Sequence, residues 1–181
     1  TPDRYRRAVS DLNRLLMISA VEQGATIGLT DYQQNPLSPL RSVDLIAAAE
    51  LMEANPFFPY FEKRLPELLD GINTVGFSLN YLSQALCCFA MIGYLKKKFP
   101  HLRIVMGGGL VTSWMRRPGW SNPFGGLVDD MFDGAGEEGL LSLSGIPVSQ
   151  NLPVLPDYSG LPLSDYLAAA WPPELLAWVG L

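Results

Sequence analysis

"RIVMGGGLVTSW", Arg103 to Trp114, is the stretch on which the fold turns. A β-branched apolar run strikes three consecutive glycines and then becomes apolar again. The run reads as a strand, and the glycines read as a turn into the next element. Glycine in such a turn either supplies a positive φ or lets another group come against the backbone. What approaches closely enough here to remove three side chains is the question the rest of the chain has to answer.

The neighbouring segments repeat the theme. Upstream, "TVGFSLN", Thr74 to Asn80, reads as a buried strand, and Gln84 to Phe99 as a helix ended by Pro100. Downstream, Leu127 to Leu143 reads as a short strand, a glycine turn and a helix opening at Glu137 and Glu138. Strands separated by helices of this length imply βαβ units. The expected fold is α/β: a Rossmann-like or flavodoxin-like open, mainly parallel sheet with helices on both faces. Further out, Arg4 to Gln23 has helical spacing closed by Gly24, and Ala25 to Gln33 reads as one short strand entering a polar turn. Ser42 to Asp70 is helical but broken by Pro56 and Pro59. The chain divides into a helical part with one strand (1–73), a glycine-loop core (74–145) and a proline-rich wrapping segment or linker (146–181), one domain overall.

Composition narrows the function classes. The 181 residues carry a net charge of −5, and Lys and Arg are dispersed apart from Lys96 to Lys98 and Arg116-Arg117, which argues against a nucleic-acid partner. The three lysines fall where a helix ends, a favourable place for positive charge. Cys87 and Cys88 are adjacent in an apolar helical stretch and read as core thiols. No long apolar run and no signal-peptide pattern occurs, so a soluble, cytoplasmic chain without a membrane partner is expected. Asp129, Asp130, Asp133, Glu137 and Glu138 do not read as a metal site, because strand geometry turns only some of them toward one point. With one histidine, no GxSxG and no activated cysteine, no nucleophile-and-base set is readable, and the chain by itself is expected to bind and not to catalyse.

In an open α/β sheet, ligands settle beyond the carboxyl ends of the strands, near a reversal of strand order. Three suspicious stretches fall at such ends: "SLNYLSQ", "GGGLVT" and "DGAGEE". The candidate cofactor contacts are Ser78, Asn80 and Tyr81 on the first, Gly107, Gly108, Gly109, Val111 and Thr112 on the second, and Gly134, Gly136 and Glu137 on the third. Neither glycine loop is a P-loop, and "GGGLVT" is not a full dinucleotide fingerprint.

The order "VGFSLNYLSQ", helix, "KKFPHLRIVMGGGLVTS", "DDMFDGAGEEGLLSL" and then "LPDYSGLPLSDYL" resembles the N-terminal cobalamin-binding domain of radical S-adenosylmethionine enzymes, over Thr74 to Leu167. The resemblance implies that a Ser, a Gly-Gly turn and a Gly-x-Gly-Glu turn at three successive strand ends surround the nucleotide tail and corrin. The 26 residues between Asn80 and Gly107 fit the family's wider pattern. Asp31 stands where that pattern has an Asp, but Gln33 occupies the place of its cobalt-ligating His and Pro36 that of its Gly. Cobalamin is therefore expected to bind without a histidine lower ligand from this chain, and His101 is expected to be a surface loop residue. The CxxxCxxC loop for the iron–sulfur cluster is not in this sequence, so the resemblance implies that the cluster and S-adenosylmethionine would belong to a radical domain of a longer parent chain, of which this chain is expected to be a fragment. Two other readings stay open: a flavodoxin-like domain for a flavin or nucleotide, and a non-binding interaction scaffold. The scaffold reading would use "NPFFPYF", Asn55 to Phe61, and Trp114, Trp120, Trp171 and Trp178 as apolar contacts.

Overall fold

The computed structural model describes residues 2–146. It is a mixed α/β unit whose order is α1 (Pro2–Ala20), β1 (Ala25–Ile27), β2 (Tyr32–Gln34), α2 (Ser42–Glu50), α3 (Phe58–Leu68), β3 (Thr74–Ser78), α4 (Leu82–Lys98), β4 (Arg103–Gly107), α5 (Gly109–Met115), β5 (Asp130–Met131) and α6 (Glu137–Leu143). Single 3-10 turns follow α1 and α2, at Val21–Gln23 and Met52–Ala54. Gly24 caps the first of them in the left-handed conformation, as the sequence suggests. Among the described residues no helix is long and apolar enough to cross a membrane.

The central sheet is parallel and three-stranded, in the order β3-β4-β5. Thr74 pairs with Arg103 through to Ser78 with Gly107, and Val105 and Met106 pair with Asp130 and Met131. This register puts Val75, Phe77, Ile104 and Met106 on one face. Ile104 and Met106 belong to the hydrophobic core with Phe89, Ile92, Val111 and Phe124. The other face carries Val105, with Thr74, Gly76 and Ser78 exposed beside it.

Two expectations change here. "TVGFS" is not a buried strand: Thr74, Gly76 and Ser78 are exposed and Val75 and Phe77 half-buried, because β3 is the sheet edge. The reversal of strand order expected near the ligand-binding end is the second. The order β3-β4-β5 has no reversal, so the described sheet lacks a switch point.

The first 73 residues depart at one place. Ala25 to Gln33 is not one strand but a separate antiparallel hairpin, with Ala25 opposite Gln34 and Ile27 opposite Tyr32. Gly28 N–H donates to the Asp31 carbonyl at 2.8 Å to close the turn, and Asn13 Oδ1 of α1 accepts from Leu29 N–H at 2.8 Å. The break at Pro56 and Pro59 separates α2 from α3 as expected. Pro66 sits inside α3 and has no N–H for the Glu62 carbonyl one turn back. The Tyr94 hydroxyl donates to that carbonyl instead, at 3.4 Å.

Helix α4 organises the unit. Nine of its residues are buried, from Ala85 to Leu95. Gly93 lies against α2 so closely that a Cβ there would overlap the Ala49 backbone. The basic last turn is partly spent on ion pairs: Lys96 Nζ is 2.6 Å from Asp129 Oδ2, and Lys97 Nζ is 3.2 Å from Glu53.

Tyr32, Gln34, Asn55 and Cys87 form a buried polar network beside α4. Tyr32 Oη donates to Gln34 Oε1 at 2.7 Å, and Asn55 Nδ2 donates to Tyr32 Oη at 3.1 Å and contacts Cys87 Sγ at 3.7 Å. Each buried side-chain polar atom among the described residues has a partner. Burial pushes the Cys87 thiol up to about 11 and raises that of Cys88 further, as suits structural thiols.

Candidate functional site

The three strand ends meet at one rim, and the chain itself fastens them. At the end of β3, Leu79 N–H donates to the Gly107 carbonyl at 2.8 Å, and the Leu79 carbonyl accepts from Leu110 N–H at 3.1 Å. Asn80 Oδ1 accepts from Gly109 N–H at 2.8 Å, while Asn80 Nδ2 donates to Ser78 Oγ at 3.2 Å. Thr112 Oγ1 accepts from Gly134 N–H at 2.9 Å and so ties α5 to the third loop. The structure thus brings together Ser78, Asn80, the three glycines, Thr112 and Gly134.

Gly108 answers the question that opened the sequence. Its φ is +103°, and a Cβ there would stand 2.6 Å from the Leu79 carbonyl oxygen and 2.8 Å from its nitrogen. The close approach at Gly108 is by the chain's own backbone, so a bulky residue there would break the turn. Gly107 and Gly109 differ. A Cβ at Gly107 would meet nothing nearer than the Phe132 carbonyl oxygen at 3.7 Å, and one at Gly109 nothing nearer than Asn80 Oδ1 at 3.6 Å, both ordinary contacts. At Gly136 an added Cβ would meet nothing within 4 Å, with φ at −79°. At these three positions the fold has room for a side chain, and the sequence provides none.

Other candidates fall elsewhere. Val111 is fully buried in the core, turned inward by α5, and is not a contact. Gly134 lies at φ +68°, so its turn accounts for it. Glu137 is exposed at the start of α6, where a carboxylate suits the helix end. Tyr81, 68% exposed, leaves the rim and lines an open hollow of about 580 Å³ with Leu29, Asp31, Ser83 and Gln84. Asp31 therefore comes to the same end of the sheet as Ser78, and Gln33 Nε2 reaches back to it at 3.4 Å.

Several neighbours were invisible as site residues in the sequence. Gln84 Oε1 accepts from both Asn80 and Tyr81 N–H at 3.1 Å, fixing the first loop; a Gln three residues into a helix after a polar turn is the signal for it. Arg116 Nε lies 3.5 Å from Asp133 across the rim. Asp129 is held differently: burial raises its carboxyl, but the Lys96 hydrogen bond, the Ile104 N–H at 2.6 Å and the charges of Lys96 and Arg103 outweigh this and hold it below the usual carboxylate range. Asp130 takes Arg103 in a two-pronged pair at 2.6 and 3.1 Å. These carboxylates are spent on cations, and no group of three metal-ligating side chains stands together among the described residues.

The amides that open α5 are also engaged, Gly109 N–H by Asn80 and Leu110 N–H by Leu79. In "NPFFPYF", Phe61 is buried and Phe57 and Phe58 pack on the core, leaving Tyr60 exposed. Trp171 and Trp178 lie outside the described residues. His101 is exposed next to the amino end of β4, on the side of the sheet away from the rim. Comparison with known proteins gave no match, whether to a family model, to a curated protein or to a solved structure.

Proposed function

We propose that this chain is the cobalamin-binding module of a radical S-adenosylmethionine enzyme, built on a small Rossmann-like sheet, and that the corrinoid lies against the rim of Gly107, Gly109 and Gly136. One observation carries the reading. Three loops at one sheet end are locked together, and at three of their glycines the fold has room for side chains that are absent. Bare backbone held rigidly in this way suits a large, flat cofactor better than a small one, because many weak contacts must form at once.

The residues at the rim fit such a group in kind. The Ser78 hydroxyl keeps its proton available after accepting from Asn80, and Gly109 is exposed and Gly136 half-buried, each without a side chain over its backbone. No histidine of this chain stands at the rim, so cobalamin would be held there without coordination by an imidazole of this chain. When bound, cobalamin supplies a cobalt that carries a methyl group or assists radical chemistry. The chain's own residues bind and orient it, and the partner would be the radical domain of the parent chain.

The test is an absorbance titration of the chain with hydroxocobalamin, in parallel with Gly109→Trp and Gly136→Trp. Saturable spectral change in the wild type, lost in both variants while circular dichroism is unchanged, is the expected result. Equal binding by wild type and variants would place the corrinoid elsewhere, and no binding by any of them would remove the assignment.

A further inference from the structure

A second hollow, of about 280 Å³, opens between the segment before α2 and the segment after α5. It lies beyond the carboxyl end of α5, whereas the rim loop precedes that helix. Its floor is apolar and fixed: Leu45 and Phe124 are buried, and the Phe124 ring packs 4.6 Å from that of Phe89 and 5.7 Å from that of Trp114. Trp114 and Trp120 supply indole surface on its walls. At its edge stands Arg117, exposed and without an ion-pair partner among the described residues. The neighbouring arginines are committed, Arg116 to Asp133 and Arg41 to Asp44, each at 3.5 Å. No acidic residue lines the hollow, and the Ser42 hydroxyl there makes no hydrogen bond to a described residue.

These features select a ligand class. Indole walls take a planar ring by stacking. A guanidinium with no acid to neutralise it takes a carboxylate, whose two oxygens match its fork. The volume is at the small end of ligand sites, room for one or two rings. We propose that this hollow binds a small planar aromatic carboxylate, with the ring between Trp114 and Trp120 and the carboxylate on Arg117. Ser42 supplies one further donor.

Amide and indole N–H shifts of the ¹⁵N-labelled chain, followed during titration with indole-3-acetate and with its uncharged counterpart indole-3-acetamide, test this. The Trp114 and Trp120 indole signals should move saturably with the acid, and more weakly with the amide. Arg117→Gln, a surface change, should weaken the acid about tenfold and leave the amide unaltered. Trp120→Ala, checked for folding by circular dichroism, should lose both. Equal affinity for acid and amide, an acid affinity untouched by Arg117→Gln, or shifts that do not saturate at millimolar concentration would overturn the proposal.

Discussion

At the scale of single residues, identical glycines do different work. Gly108 is required by its own turn, because the Leu79 backbone fills the space where a Cβ would go. Gly108→Ala is therefore expected to cost about 2 kcal/mol or more, through strain at positive φ and overlap with Leu79. Gly136→Ala, in open space at negative φ, should change stability by less than about 1 kcal/mol. Thermal melts of the two variants separate these outcomes, and equal losses would mean that the rim glycines are all structural. Asn55 is a second such residue. It is 3% exposed and bonded to Tyr32, Cys87 and the Phe57 N–H, so Asn55→Ala should cost about 2 kcal/mol in urea unfolding by removing these bonds and leaving the Phe57 N–H unpaired. A loss below about 0.5 kcal/mol would show that the network contributes little.

At the scale of elements, the α2–α4 crossing and the α4–β4–β5 corner decide stability. Gly93 lets α2 and α4 touch backbone to backbone, so Gly93→Leu should prevent folding, read as loss of the cooperative melt. At the corner, Asp129 binds Lys96 and the Ile104 N–H and is held below the usual carboxylate range. A carboxyl depressed in the folded state stabilises above its ordinary value near pH 4 and loses that contribution as pH falls through the folded value. The stability difference between wild type and Asp129→Asn, measured by urea unfolding from pH 7 downward, should therefore be full at neutral pH and shrink below about pH 4. A difference independent of pH would show that the charge is irrelevant. What the sequence revealed of these elements follows from the range of the forces involved. Helices α2 to α4 and the strand at Arg103 to Gly107 were legible, because periodicity, proline and glycine are local signals. The Ala25 to Gln34 hairpin reads as one strand entering a polar turn because its return strand, Tyr32 to Gln34, is three residues long, too short for an alternation to show. Edge or centre for Thr74 to Ser78 depends on which strand pairs on the far side, which no local pattern records.

At the scale of the molecule, the carboxyl-end rim was legible and its internal wiring was not. The sequence pointed to three loops and to their meeting. It gave no sign that Asn80 is spent on Gly109, that Val111 turns into the core, or that Arg116 reaches Asp133, since each joins residues distant along the chain. These contacts lock the rim and narrow the free surface to Gly107, Gly109, Gly136, Ser78 and the hollow beside Tyr81. The measurement that bears most directly on the cofactor assignment is the hydroxocobalamin titration of the wild-type chain beside Gly136→Trp. A saturable change in the corrinoid spectrum with wild type, absent from the folded variant, is the expected outcome. Binding that is equally strong with Gly136→Trp, or absent from the wild-type chain, would contradict the assignment of cobalamin to this rim.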